Sequence, residues 1–492
     1  NQSGIPLKTK TNSQLFYNLR NDNKFFTFEG YDFKIIDNCL EIIYSFNLAD
    51  KVNFNPKLRF LPSKHINYNS FNKHSLNNFV FHMGMVELIS YWKAACPKKV
   101  IIKPSYLSSE QIEFWKKLYF HGLGEFFYLN GISVEENSFM YITTHGKKLN
   151  PVAKELSNNK VIVPVGGGKD SIVTLELLKE KGMGVIPFFV NPREASWRTI
   201  EVAGFTKNDC IVVERTIDKK LIDLNNKGYL NGHTPFSAMV AFTSATVSFL
   251  TGISNVALSN ESSANESTVP GSMINHQYSK SFEFEKDFHE YSKKFLLQDM
   301  HYFSFLRPIN ELQIAKLFSK FNQHFTTFRS CNVGSKKDAW CGKCPKCLFT
   351  YILLGPFVDE KILIEIFGAN MLKDNSLDSI FRELTGIAEV KPFECVGTPE
   401  EVIAAISAGV GFDNIVYNSA RKLKESDSFG KLLTGYNSAV LRGPNNSMNT
   451  GLKMTILGYL ATMFTIGVNE MWHFWFVEEI FAVPNHWMFN MG

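Results

Sequence analysis

The stretch VIVPVGGGKDSIVTLELLKEKG, residues 161–182, decides how the rest of the chain is read. Val161 to Val165 form the apolar, β-branched run that a buried parallel strand requires. Gly166, Gly167 and Gly168 follow, then Lys169, Asp170 and Ser171. Behind them Ile172, Val173, Leu175 and Leu178 share one side of an amphipathic helix that Gly182 can stop. Strand, glycine turn and helix N-terminus, in that order, offer backbone N–H groups and a positive helix end to an anion. The glycines let the backbone approach a phosphate closely. Ser171 can cap or donate, and Lys169 can neutralise charge. The Walker pattern does not fit, and the dinucleotide pattern G-x-G-x-x-G fails at Ser171.

Outward from this stretch, strand candidates at 161–165, 185–190, 211–214 and 253–259 alternate with helical segments at 170–182, 196–204 and 235–250. That alternation predicts an α/β fold with a mainly parallel, doubly wound sheet. Ligands in such sheets sit beyond the strand carboxyl ends, where Gly166–Ser171 lie. A second loop in the same position, Ser259 to Thr268, is dense in hydroxyls, amides and carboxylates. Asn260, Glu261 and Glu266 are its candidates for ribose, phosphate or Mg²⁺.

The flanks read differently. Residues 1–150 form an N-terminal α+β region, with strands expected at Tyr31–Ile36 and Leu40–Tyr44 and a helix over 78–95. His82 and Glu87 in that helix read as core or surface groups rather than ligands. The nucleotide-binding domain is expected over 151–300, a smaller helical domain over 301–430, and an apolar tail over 431–492. Cys331, Cys341, Cys344 and Cys347 stand at a spacing that suits a closed, structural Zn²⁺ site; an iron–sulfur cluster is the other metal reading. Lys336, Lys337, Lys343 and Lys346 around them are either an anion-facing set or a solvated face. In the tail, Leu452–Val477 is long enough to span a bilayer and equally fits a buried helix.

Composition bounds the function. A formal charge of +5 without a basic tract argues against nucleic acid as a partner. Clustered cysteines, and a first thirty residues lacking an apolar signal-peptide core, predict a reducing, cytoplasmic compartment, with membrane contact only through the tail.

The segment Val165 to Ser171 resembles the S-G-G-x-D-S signature of the PP-loop ATP pyrophosphatases, departing from it at the leading Val165-Gly166. Together with the four cysteines it is similar to the 7-cyano-7-deazaguanine synthases, which activate a carboxylate with ATP. Longer stretches resemble the UDP-N-acetyl-α-D-muramoyl-L-alanyl-L-glutamate epimerase (MurL) family. They are HMGMVELISYWKAACP (82–97), PVGGGKDS (164–171), SNESSANEST (259–268), WCGKCPKC (340–347) and KPFECVGTPEE (391–401), and the likeness covers roughly 30–405. This resemblance implies a PP-loop enzyme that consumes ATP to invert the terminal L-glutamate of UDP-MurNAc-L-Ala-L-Glu, releasing AMP and pyrophosphate. It implies ATP held by Gly166, Gly167, Gly168 and Ser171, Mg²⁺ at Asp170 unless that residue caps the helix, and Lys169 stabilising developing charge. Inversion needs an acid and a base, for which Cys395 is one candidate and His233 or His276 the other. Two readings compete with the epimerase: a carboxylate-activating synthase, and a membrane-tethered nucleotide-binding subunit without turnover. Residues 468–489 resemble a fragment of the C subunit of copper membrane monooxygenases, and such a fragment carries no such activity by itself.

Overall fold

A computed structural model describes residues 11–408, apart from 69–71, 270, 273 and 389. The expectations for the tail beyond Ala408 lie outside the described residues. Among the described residues no helix is long and apolar enough to cross a membrane.

One large sheet organises the chain. In spatial order its main strands are His301–Ser304, Ile253–Leu258, Ser157–Pro164, Gly184–Val190, Ile211–Thr216, Lys57–Phe60, Cys39–Leu48, Phe25–Ile36, Lys99–Ile102 and Tyr141–Thr144. The first five are mutually parallel, as the alternating pattern predicts. Lys57–Phe60 then pairs antiparallel with Ile211–Thr216, so the β-rich N-terminal strands continue the same sheet. Arg59 marks the join, bonding Glu41 at 3.1 Å on one neighbour and Glu214 at 3.0 Å on the other.

Both faces of the parallel half are covered. Val161, Val163 and Val165 point into a core with Ile172, Val173 and Leu178 of the helix Lys169–Glu180. Ile162, one residue out of phase, points into the opposite core, which holds the helices Lys73–Trp92 and Phe236–Thr251. Alternation of side chains along a strand makes a continuous apolar run necessary wherever both faces are buried. His82 and Glu87 are core groups, as expected: His82 bridges Asn78 O and Tyr291 Oη, and Glu87 pairs with Arg215 at 2.7 Å.

The chain runs from Ser157–Pro164 outward to Gly184–Val190 and Ile211–Thr216, then returns to place Ile253–Leu258 on the other side of Ser157–Pro164. The strand order reverses there, which opens a crevice at the carboxyl ends of these two central strands. The loops 165–171 and 259–268 therefore face each other across it. The edge strand His301–Ser304 extends the sheet past the residue at which the helical segment was expected to begin. Helices Glu311–Phe318, Pro345–Leu354 and Pro399–Ala408 pack together beyond it, against the helix Lys169–Glu180.

Candidate active site

The glycine turn is built as a cradle. Gly167 adopts φ +84°, and a Cβ there would lie 2.9 Å from the Ser196 nitrogen, so conformation and space both demand glycine. A Cβ on Gly168 would stand 2.7 Å from Ser330 Oγ, whereas Gly166 faces open space. Gly168 is the N-cap of the following helix and has no side chain to satisfy the helix's first N–H groups. Ser171 Oγ accepts from Gly167 N at 3.2 Å and donates to Gly168 O at 2.9 Å, holding the turn. From outside, Arg329 N donates to Gly167 O at 2.8 Å.

Lys169 is only 3% exposed and donates to both Asp170 and Glu311. Burial opposes its charge, but the two carboxylates win and hold it protonated. Glu311 and Glu261 are also buried, which drives both carboxyls upward. Burial likewise pushes Glu401 up to about 7; its two oxygens accept from Glu311 N at 2.8 Å and Thr398 N at 2.7 Å. Arg307 ties this wall together, donating to the backbone oxygens of Glu261 and Lys280 and to Glu285. Asp170, Glu261, Glu311 and Glu401 thus stand among the cations Lys169, Lys280 and Arg307 beside the cradle.

Lys280 connects this wall to a second cluster. Its ammonium lies 3.0 Å from Cys395 Sγ and also feels Glu261 and Asp170. Burial opposes ionisation of Cys395, but Lys280, Lys346 and His276 together hold its thiol well below the ordinary range. His276 donates to Glu125 and interacts with the Cys395 sulfur; these partners overcome burial and raise its pKa to about 9. His233 stands 4.5 Å from His276, ring to ring, and burial lowers it to about 4. Glu125, His233 and His276 are also close enough to share a metal ion.

The four cysteines converge. Cys331 and Cys344 sulfurs are 3.8 Å apart, Cys341 and Cys347 3.7 Å, and Cys344 and Cys347 3.5 Å. A Zn–S bond of about 2.3 Å puts tetrahedral sulfurs about 3.8 Å apart, so this set fits one zinc ion. An iron–sulfur cluster would have to hold the sulfurs apart by its own width, and all four lie within 4.8 Å of one another. Pro345 starts the helix after Cys344, which explains how the C-x2-C-x2-C turn closes. Cys331 follows Arg329 and Ser330, the residues that brace the glycine turn.

Lys280 thus connects Asp170 of the glycine turn, Glu261 and Cys395. Asn260 is turned inward, donating to Ser304 Oγ at 2.9 Å, and Glu266 stays at the rim, 3.6 Å from Lys391. Of the lysines near the cysteines, Lys343 pairs with Asp374 while Lys346 acts on Cys395. Sequence reasoning missed Glu125, Lys280, Arg307, Glu311 and Glu401. Only Glu401 carried a signal, since it ends the KPFECVGTPEE stretch that contains Cys395.

A family model described as the MurL N-terminal domain matches residues 18–305, and one described as the MurL C-terminal domain matches 325–414. The chain is 33% identical over 341 residues to a UDP-N-acetyl-alpha-D-muramoyl-L-alanyl-L-glutamate epimerase of Xanthomonas oryzae pv. oryzae, covering 66% of this chain and 73% of that one. It is 35% identical over 326 residues to the protein of that name in Salinispora tropica, covering 65% and 70%.

Proposed function

This chain belongs to the MurL family, and from that premise we propose that it inverts the terminal L-glutamate of UDP-MurNAc-L-Ala-L-Glu to the D form, an isomerase step in peptidoglycan synthesis. The observation that carries the reading is Lys280, whose ammonium lies 3.0 Å from Cys395 Sγ and also interacts with Asp170 of the glycine turn. The glycine turn suits ATP and the Cys395 side suits an activated glutamyl unit.

The Cα–H of a glutamate carboxylate is hard to ionise, because the carbanion would form beside a negative charge. Adenylylating that carboxylate removes the charge. In this reading the N–H groups of Gly166, Gly167 and Gly168 and the Ser171 hydroxyl hold the phosphates at the helix N-terminus. Lys169, positioned by Glu311, offsets charge that develops on the leaving pyrophosphate. Asp170, with Glu261, would hold Mg²⁺, which would neutralise phosphate oxygens. Cys395, backed by His276 and Glu125, acts on the activated glutamyl unit. A zinc ion at Cys331, Cys341, Cys344 and Cys347 is structural and keeps Arg329 and Ser330 against the cradle. We place the enzyme in the cytoplasm, where thiols stay reduced.

The test is pyrophosphate release from ATP-Mg²⁺ with UDP-MurNAc-L-Ala-L-Glu, against the D-glutamyl isomer and a substrate-free control, with chiral analysis of the glutamate. Pyrophosphate dependent on the L form, together with D-glutamate, is expected. Bound ATP with no pyrophosphate and no D-glutamate would overturn the reading.

A further inference from the structure

Cys395, His276 and Glu125 come from three distant parts of the chain, yet they form a connected set: a sulfur 3.0 Å from the Lys280 ammonium, an imidazole whose charge acts on it, and a carboxylate that orients the imidazole. A thiol beside an imidazolium that a third group orients is an arrangement that activates sulfur for covalent catalysis. Lys280 adds an ammonium 3.0 Å from the sulfur. Gly397 packs so closely that a Cβ there would stand 2.2 Å from Glu401 Oε2, which brings the segment after Cys395 against the Glu311–Glu401 wall. Lys280 also interacts with Glu261 and Asp170, which sets the sulfur on the wall that carries the glycine turn.

We propose that Cys395 is a nucleophile that takes the glutamyl group from AMP as a thioester, and that inversion happens on this enzyme-bound thioester. The proposal rests on the adenylylation reading above. In the first step a sulfur lone pair forms a C–S bond to the acyl carbon. The C–O bond to the phosphate of AMP breaks, and AMP leaves with that electron pair. The α-proton then departs and returns on the other face, with no net change in protons. Water finally adds to the acyl carbon, the C–S bond breaks, the thiolate and the product carboxylate are restored, and the two protons of that water pass to solvent.

Two physical arguments favour a nucleophile over a base. A thiolate stabilised by two cations and an imidazolium is a weak base toward carbon, whereas nucleophilicity falls with only about 0.4–0.5 of the drop in thiol pKa. A thioester also keeps the acyl carbon uncharged, so the α-proton remains removable after AMP has gone, and the covalent bond prevents loss of the planar intermediate.

The experiment is rapid acid quench of the whole protein turning over ATP-Mg²⁺ and UDP-MurNAc-L-Ala-L-Glu, followed by intact-mass and peptide mass spectrometry and by timing of AMP against free product. The expected result is an adduct of substrate minus water on Cys395, removed by neutral hydroxylamine, with AMP appearing before free D-glutamyl product. Cys395→Ala should still release pyrophosphate in a first turnover, carry no adduct and form at least 100-fold less D product. AMP and product appearing in step, with no adduct at any quench time, would overturn the thioester while leaving the epimerase reading intact. No pyrophosphate from the wild-type protein would overturn that reading and this proposal with it.

Discussion

The Lys280 ammonium lies 3.0 Å from the Cys395 sulfur, although 115 residues separate them in the chain. The backbone oxygen of Lys280 is in turn gripped by Arg307, which also holds the backbone of Glu261. One buried guanidinium thus sets both the cation beside the sulfur and the carboxyl group beside the glycine turn. Replacing Lys280 with Met should raise the thiol pKa toward the ordinary cysteine range and slow D-glutamate formation at least 10-fold. The thiolate's ultraviolet absorbance, titrated against a Cys395→Ala control, reads the first effect, and single-turnover pyrophosphate release should stay within about 3-fold of wild type.

Gly167 carries φ +84°, and a Cβ added there would stand 2.9 Å from Ser196 N. Gly167→Ala should leave the fold intact by circular dichroism and weaken ATP binding at least 10-fold by calorimetry. The reason is that the turn must open to relieve the contact, which moves its N–H groups away from the phosphates.

Lys169 is buried between Asp170 and Glu311, so truncating it strands a buried carboxylate. Lys169→Met should destabilise the protein by about 3–5 kcal/mol in urea unfolding. Adding Glu311→Leu should recover much of that loss, and neither variant should release pyrophosphate.

Elemental analysis should find one zinc ion per chain, and Cys341→Ser should lower that content. Chelation should weaken ATP binding and added Zn²⁺ should restore it, because Cys331 anchors the segment whose Arg329 N bonds Gly167 O at 2.8 Å.

Burial raises the Glu401 carboxyl from 4.5 to about 7 and raises Glu261 and Glu311 in the same sense. A carboxyl whose pKa is higher in the fold than in the unfolded chain stabilises the protein fully below its unfolded value, and that contribution is lost as pH rises through the folded one. The midpoint of thermal unfolding of the metal-free nucleotide site should therefore carry a component that falls between pH 4.5 and about 7. Glu401→Gln should flatten that component, measured as the difference between the two pH profiles.

Much of this protein is legible along the chain. The strand–glycine–helix order of 161–182, the alternating elements after it and the C-x2-C-x2-C turn are local patterns, because their physics acts between near neighbours. Backbone propensity, one-faced apolar spacing and ligand spacing need no knowledge of distant residues, and they placed the cradle, the parallel strands and the cysteine set. Tertiary structure alone decided the rest. Nothing around Glu125, Lys280 or Glu311 distinguishes them from ordinary surface charges; Glu311, after the capping residue Asn310, reads as a common helix-start acid. Their chemistry arises only when the reversal of strand order brings the loops after 164 and 258 together and the C-terminal segment folds Cys395 against Lys280. Burial and opposite charge then tune the groups, and both depend on what lies across the crevice, which no local pattern encodes.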